Sequence, residues 1–241
     1  MQKYLNMKKM IIASTSTVYG QEYLEYLLPT LENFFEQVSE ITFIPYARPG
    51  GITHEQYTSK VSEAFGKINI RVKGLHEYKS AREGIEQAEA LFTGGGNTFL
   101  LVQQLYEQDI MQLLKQKIES GTPYLGTSAG SNITGLTMNT TNDMPIVHPP
   151  SFQTLGCVPF NINPHYLDPL PNSEHMGETR ETRIKEFHQF NKQPVIGLRE
   201  GSWLEVSDGY IWLRGKYPAR IFMQGKNPYE LLTDSSMNEI V

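Results

Sequence analysis

Short apolar runs alternate with longer stretches whose apolar residues recur at helical spacing, and this alternation limits the folds open to the chain. The runs "MIIAS", "ITFIPYA", "INIRVKGL", "ALFTG" and "TPYLGT" read as strands. Between them, residues 22–36, 54–65 and 80–89, a stretch opening at Thr98, and residues 109–120 read as helices. Two strands that run the same way in one sheet need a crossover of about a dozen residues or more, and a helix supplies it. The pattern therefore predicts an α/β fold, a mostly parallel sheet with helices on both faces.

The second half reads differently. Residues 138–172 are rich in Pro, Asn and Thr and show little periodicity. A long irregular stretch inside a compact chain tends to carry function. This one holds Phe152, Phe160, Ile162 and Tyr166, so it is expected to pack down, with a short strand just before His165. A helix is expected over 178–190, with Ile184 and Phe187 on one face. The tail reads as short strands turning at Glu200-Gly201 and Asp208-Gly209, antiparallel additions at the sheet edge. No linker interrupts the pattern, so residues 1–241 are read as a single domain, with Met7 as a second possible start position.

Composition narrows the function. The formal net charge of −5 argues against a nucleic-acid partner. No apolar run approaches the roughly 18 residues that mark a membrane-spanning helix, and the apolar stretch near the start is far too short for a signal peptide. The lone Cys157 excludes an intrachain disulfide and fits a reducing, cytoplasmic setting. No metal or other cofactor is expected, since Cys157 lacks paired ligand spacing and no H-E-x-x-H occurs.

"GTSAG" (residues 126–130) fits the G-x-S-x-G nucleophile-elbow pattern, with a strand before it and helix-compatible residues after. Such a turn exposes the serine hydroxyl at the strand end, and its neighbours must be small because strand and helix approach closely. Ser128 is the candidate nucleophile, and the backbone N–H of Ala129 is a candidate oxyanion donor. "GGGN" (94–97) also joins a strand to a helix. It is neither a Walker loop nor a dinucleotide fingerprint, and successive glycine N–H groups form an anion nest. Gly95 and Gly96 are the further oxyanion candidates, and Asn97 beside them is a candidate substrate contact. Of the six histidines, His54 and His188 read as surface residues at helix ends, and His76 ends a strand. His165, in "NINPHYLDP", follows a short strand and a rigid proline, as a base on a strand-end loop would; His148 and His175 stay open. Asp143, Asp168 and Glu200 are candidate orienting carboxylates. Cys157 is a weaker nucleophile, lacking the glycine-flanked turn.

Seven stretches in order, "FTGGGNTFLL", "GTSAGSN", "TTNDMPIV", "PPSF", "INPHY", "GETRETRIKEF" and "IGLREGSWL", resemble the peptidase E (α-aspartyl dipeptidase) family. The resemblance spans about residues 91–204. It implies a fold like the class I glutamine amidotransferases, a flavodoxin-like sheet sandwiched by helices. It also implies a metal-free cytoplasmic serine peptidase that cleaves dipeptides with an N-terminal aspartate. By motif, the nucleophile would be Ser128, the base His165 and the acid Asp143, with Glu200 as the rival acid. Arg180 of "GETR" would grip the aspartyl side chain of the substrate. A cyanophycinase-like peptidase and a non-catalytic binding domain are the alternatives, and homodimerisation is left open.

Overall fold

The computed structural model describes residues 8–169 and 177–238; His175 and Met7 lie outside the described residues. The described residues form a seven-stranded sheet in the order β3-β2-β4-β5-β1-β8-β9 and a second, four-stranded sheet in the order β11-β10-β7-β6. In the first, β1 (Met10–Ala13), β2 (Glu40–Ile44), β3 (Arg71–Gly74), β4 (Ala90–Thr93) and β5 (Tyr124–Thr127) pair parallel. The tail strands β8 (Ser202–Ser207) and β9 (Tyr210–Gly215) add antiparallel beyond β1, at the edge where antiparallel additions were expected. The second sheet was not foreseen as separate. In it β6 (Asn161–Pro164) runs parallel to β7 (Val195–Leu198), followed by antiparallel β10 (Ala219–Phe222) and β11 (Tyr229–Leu231).

The helices are α1 (Leu28–Phe34), α2 (His54–Gly66), α3 (Ala81–Gln87), α4 (Thr98–Glu107), α5 (Met111–Glu119), α6 (Ala129–Asn132) and α7 (Arg180–Phe187). Side-chain caps start four of them: Thr53 with a full capping box, Ser80, Asn97 and Thr179 each accept a backbone N–H from the first turn. The helix expected over 22–36 is shorter. A 3₁₀ turn (Glu25–Leu27) precedes α1, which begins around Pro29, a residue tolerated only in a first helical turn. The strand expected over "ITFIPYA" stops at Ile44, because Pro45 has no N–H for the ladder.

Successive strand residues point to opposite faces, so each inner strand feeds two cores. On one face Met10, Ile12, Leu91 and Tyr124 pack with Leu101, Leu105, Leu114 and Ile118 of α4 and α5. On the other, Ile11, Phe43, Phe92 and Leu125 pack with Leu31 of α1 and Tyr57, Val61 and Phe65 of α2. The second sheet joins the first of these cores through Phe160, Ile162, Ile196, Leu198 and Ile221. Phe160, Ile162 and Tyr166 of the irregular region are buried as expected, while Phe152 stays 47% exposed. This arrangement brings the carboxyl ends of β1, β4 and β5 together beside the end of β6. Loops at such strand ends form the ligand crevice of open α/β sheets. No helix among the described residues is long and apolar enough to cross a membrane.

Candidate active site

The serine turn is built by close backbone packing. A Cβ at Gly126 would lie 2.5 Å from the Gly130 carbonyl oxygen, and one at Gly130 would lie 2.1 Å from that of Thr93. Only glycine lets β4, β5 and the start of α6 meet this closely. Between the two glycines Ser128 adopts φ 54°, ψ −111°, a strained conformation for a residue with a side chain. The turn is held by its backbone: Ser128 N–H donates to Ala13 at 3.2 Å, and the Ser128 carbonyl accepts from Ser131 and Asn132 at 3.0 and 2.9 Å. The Ser131 hydroxyl reaches back to the carbonyl of Ala13 at 2.6 Å. The side chain of Ser128 is left for other partners.

His165 supplies one. It leaves the end of β6 with φ 52°, and its backbone N–H donates to the Ser14 hydroxyl at 2.9 Å. Ser14 in turn donates to the Leu198 carbonyl at 2.7 Å, so one hydroxyl at the end of β1 joins both sheets and sets the histidine. The ring then lies between two side chains: Nε2 is 2.8 Å from Ser128 Oγ and Nδ1 is 2.6 Å from Glu200 Oε1. If Nδ1–H donates to the carboxylate, Nε2 is left as the acceptor for the serine proton. Glu200 is placed by the turn between β7 and β8, whose next residue, Gly201, takes φ 84°.

The carboxylate on His165 is therefore that of Glu200, and Asp143, first choice by motif, stands elsewhere. One oxygen of Asp143 accepts from Thr98 N–H, Thr98 Oγ1 and Thr141 Oγ1 at 2.7, 2.7 and 3.0 Å. These bonds fix it at the N-terminus of α4, where backbone N–H groups and the helix dipole favour a carboxylate. Asp168 is also engaged, accepting from Arg199 Nε and Nη2 at 2.8 Å each. Those bonds hold its carboxyl below the usual carboxylate value. The Asn97 side chain is occupied at both ends: Oδ1 accepts from Leu100 N–H at 3.1 Å and Nδ2 donates to the Met144 carbonyl at 2.9 Å. It caps α4 and tethers the following loop. His54 stacks against Tyr46 and His76, His188 meets the Gln193 carbonyl, and His148 is exposed; none is hydrogen-bonded to Ser128. Cys157 is buried and its thiol is pushed up to about 12 by burial, which leaves no thiolate at neutral pH.

Gly95 lies against the serine: a Cβ there would stand 2.9 Å from Ser128 Cβ. Among the described residues, no hydrogen bond takes the backbone N–H of Gly95, Gly96 or Ala129. Donors left unpaired beside a nucleophile are what an oxyanion site requires. A cleft of about 690 Å³ opens from His165 and Glu200, lined further by Leu167, Arg180, Arg199 and Tyr217. Arg199 is neutralised within it by Asp168 and Glu230. Arg180, the first residue of α7, makes no ion pair among the described residues, and its burial lowers its pKa, with nearby Arg183 adding to this and Asp143 opposing it. A guanidinium in a cleft with no ion pair among the described residues is suited to receive a carboxylate. Among the described residues no group of three or more His, Cys, Asp or Glu side chains is arranged to hold a metal. Ser14 escaped the sequence reading, although its place just after the first strand was a usable signal.

The model of peptidase family S51 matches residues 10–213. The chain is 45% identical to peptidase E of Streptomyces coelicolor over 96% of its length and 94% of that protein's. It is 40% identical to a Drosophila melanogaster protein named "Probable alpha-aspartyl dipeptidase", covering 93% of each. The fold is similar to the crystal structure of a peptidase from an acI-B1 Actinobacterium, with a TM-score of 0.65 at 15% identity over 97% of this chain and 98% of that one.

Proposed function

The chain belongs to peptidase family S51, and from that premise we propose that it is a serine dipeptidase that hydrolyses Asp-Xaa dipeptides through an aspartyl-enzyme. The observation that carries this reading is the continuous hydrogen-bonded line Ser128–His165–Glu200. Ser128 Oγ attacks the carbonyl of the aspartyl residue while His165 Nε2 takes its proton. Glu200 fixes the tautomer and stabilises the imidazolium, the part an aspartate takes in the familiar triad. The oxyanion is received by the N–H groups of Ala129 and of Gly96 or Gly95. His165 then gives its proton to the leaving amine, and water attacks the ester with the same histidine as base.

Arg180 is the proposed partner of the substrate's side-chain carboxylate, through two parallel charge-assisted bonds. The two sheets share one apolar core, which supports a single folding unit. We propose a cytoplasmic setting, which the lone, buried Cys157 supports, and cell fractionation tests it. For the activity, the test is release of free aspartate from Asp-Leu, with Glu-Leu, Asn-Leu and cyanophycin alongside. The wild type is expected to cleave Asp-Leu selectively and Ser128→Ala to be inactive but folded. Cleavage of cyanophycin in preference to Asp-Leu, or an active Ser128→Ala variant, contradicts the proposal.

A further inference from the structure

Two adjacent glycines make a poor oxyanion site unless something holds the peptide between them. Gly95 and Gly96 carry no side chain to resist rotation of that peptide plane. A rotated plane would turn a carbonyl oxygen, rather than an N–H, toward the developing negative charge. The flanks are fixed, since Gly94 N–H donates to Ile44 at 3.3 Å and Asn97 N–H to Ala47 at 2.7 Å. The Gly95–Gly96 peptide itself has no such ladder bond among the described residues.

A bond to it comes from α2 instead. The Tyr57 hydroxyl donates to the Gly95 carbonyl at 3.2 Å from a side chain that is 1% exposed. The tyrosine is in turn clamped. Phe43 meets its ring edge-on at 4.9 Å, Tyr23 does so at 6.4 Å, and the Arg48 guanidinium lies 5.0 Å from its centroid. A Cβ at Gly94 would sit 2.5 Å from the Tyr57 hydroxyl, which accounts for the first glycine of the run. In a trans peptide C=O and N–H point in opposite directions. A Gly95 carbonyl drawn into the core by Tyr57 therefore sends the Gly96 N–H outward, where Gly96 is half-buried and Gly95 touches Ser128.

We propose that Tyr57 is a positioning residue for catalysis: its hydroxyl fixes the plane of the Gly95–Gly96 peptide and so aims the Gly96 N–H at the oxyanion. This rests on the reading of Ser128 as nucleophile and deepens it. The experiment compares wild type, Tyr57→Phe, Tyr78→Phe and Ser128→Ala on Asp-Leu, below the unfolding midpoint measured for each. Two ligands accompany the kinetics. An aspartyl aldehyde adds to the serine and places an oxyanion in the site, and an Asp-Leu analogue with a reduced peptide bond binds without one.

Tyr57→Phe is expected to lower kcat about tenfold, which corresponds to about 1.4 kcal/mol of barrier. KM and affinity for the reduced analogue stay within about twofold, and affinity for the aldehyde falls about as far as kcat. Tyr78→Phe removes a tyrosine hydroxyl that bonds to Thr42 at 3.0 Å rather than to Gly95, and it is expected to keep wild-type kcat. An unimpaired Tyr57→Phe overturns the inference while leaving an inactive Ser128→Ala, and the serine reading, intact. So does an equal loss for Tyr78→Phe, or an equal loss of affinity for both ligands, since either would make Tyr57 a packing residue. A Ser128→Ala variant that still turns over overturns both readings together.

Discussion

Replacing Glu200 with glutamine removes the charge behind His165 and little else. Loss of the acid from a buried Ser-His-Asp triad costs about 10⁴ in turnover. Glu200 should cost less, because its side chain is 52% exposed and water screens it. With charges about 3 Å apart and an effective dielectric between about 20 and 80, the attraction between imidazolium and carboxylate is ~1.4–5.5 kcal/mol. The exposure places the value toward the lower end, about 2–3 kcal/mol, which corresponds to a loss of about 30- to 150-fold in kcat. The glutamine oxygen can still accept from Nδ1–H, so substrate binding should change little. The assay is steady-state hydrolysis of Asp-Leu by Glu200→Gln, with proton NMR of the far-downfield imidazole Nδ1 proton. Asp143→Asn is examined beside it. That downfield signal should weaken or vanish in Glu200→Gln and persist in Asp143→Asn, because Asp143 is bonded to Thr98 and Thr141 rather than to the histidine. A Glu200→Gln variant that keeps both signal and turnover, beside an Asp143→Asn variant that loses the signal, would put Asp143 behind the histidine instead.

Three further outcomes are expected. Arg180→Ala should lower kcat/KM for Asp-Leu by about 10- to 150-fold, the ~1.5–3 kcal/mol of a charged hydrogen-bonded contact. Its unfolding midpoint should not move, since Arg180 makes no ion pair among the described residues; unchanged kcat/KM would remove it from the substrate site. Gly130→Ala drives a methyl to 2.1 Å from the Thr93 carbonyl, so its melting temperature should fall by several degrees for a cost of about 1–3 kcal/mol. A variant as stable as wild type would show that the glycine is not required for close approach. Asp168, hydrogen-bonded to Arg199, has a folded pKa below its ordinary 3.8. Its stabilising effect is thus present above that value and lost as pH falls through the lower folded value. The melting difference between wild type and Asp168→Asn should hold near neutral pH and close in acid. A difference independent of pH contradicts the assignment.

What could be read from the sequence was whatever is local. The G-x-S-x-G spacing reports backbone crowding at Gly126 and Gly130, and the structure shows that crowding as carbonyl oxygens where Cβ atoms would stand. The alternation of apolar runs and helical stretches reports the parallel sheet, because each inner strand must bury both faces. His165 was legible through the proline that stiffens its turn. The choice of carboxylate was not, since it depends on where two distant turns arrive. The Glu200 turn leaves the second sheet next to the end of β6, while Asp143 is drawn to the open N-terminus of α4. Nor did spacing separate the two sheets: a short apolar run reads alike in either. Tyr57 was hidden for the same reason, since on α2 it reads as one more core aromatic.

The proposed mechanism requires that Ser128 be acylated by the aspartyl residue of the substrate. Rapid acid quench of the enzyme during Asp-Leu turnover, followed by proteolysis and mass spectrometry, tests it most directly. One aspartyl group is expected on the peptide that carries Ser128, absent from the Ser128→Ala variant. An adduct on another residue, or full turnover in the Ser128→Ala variant, would contradict it.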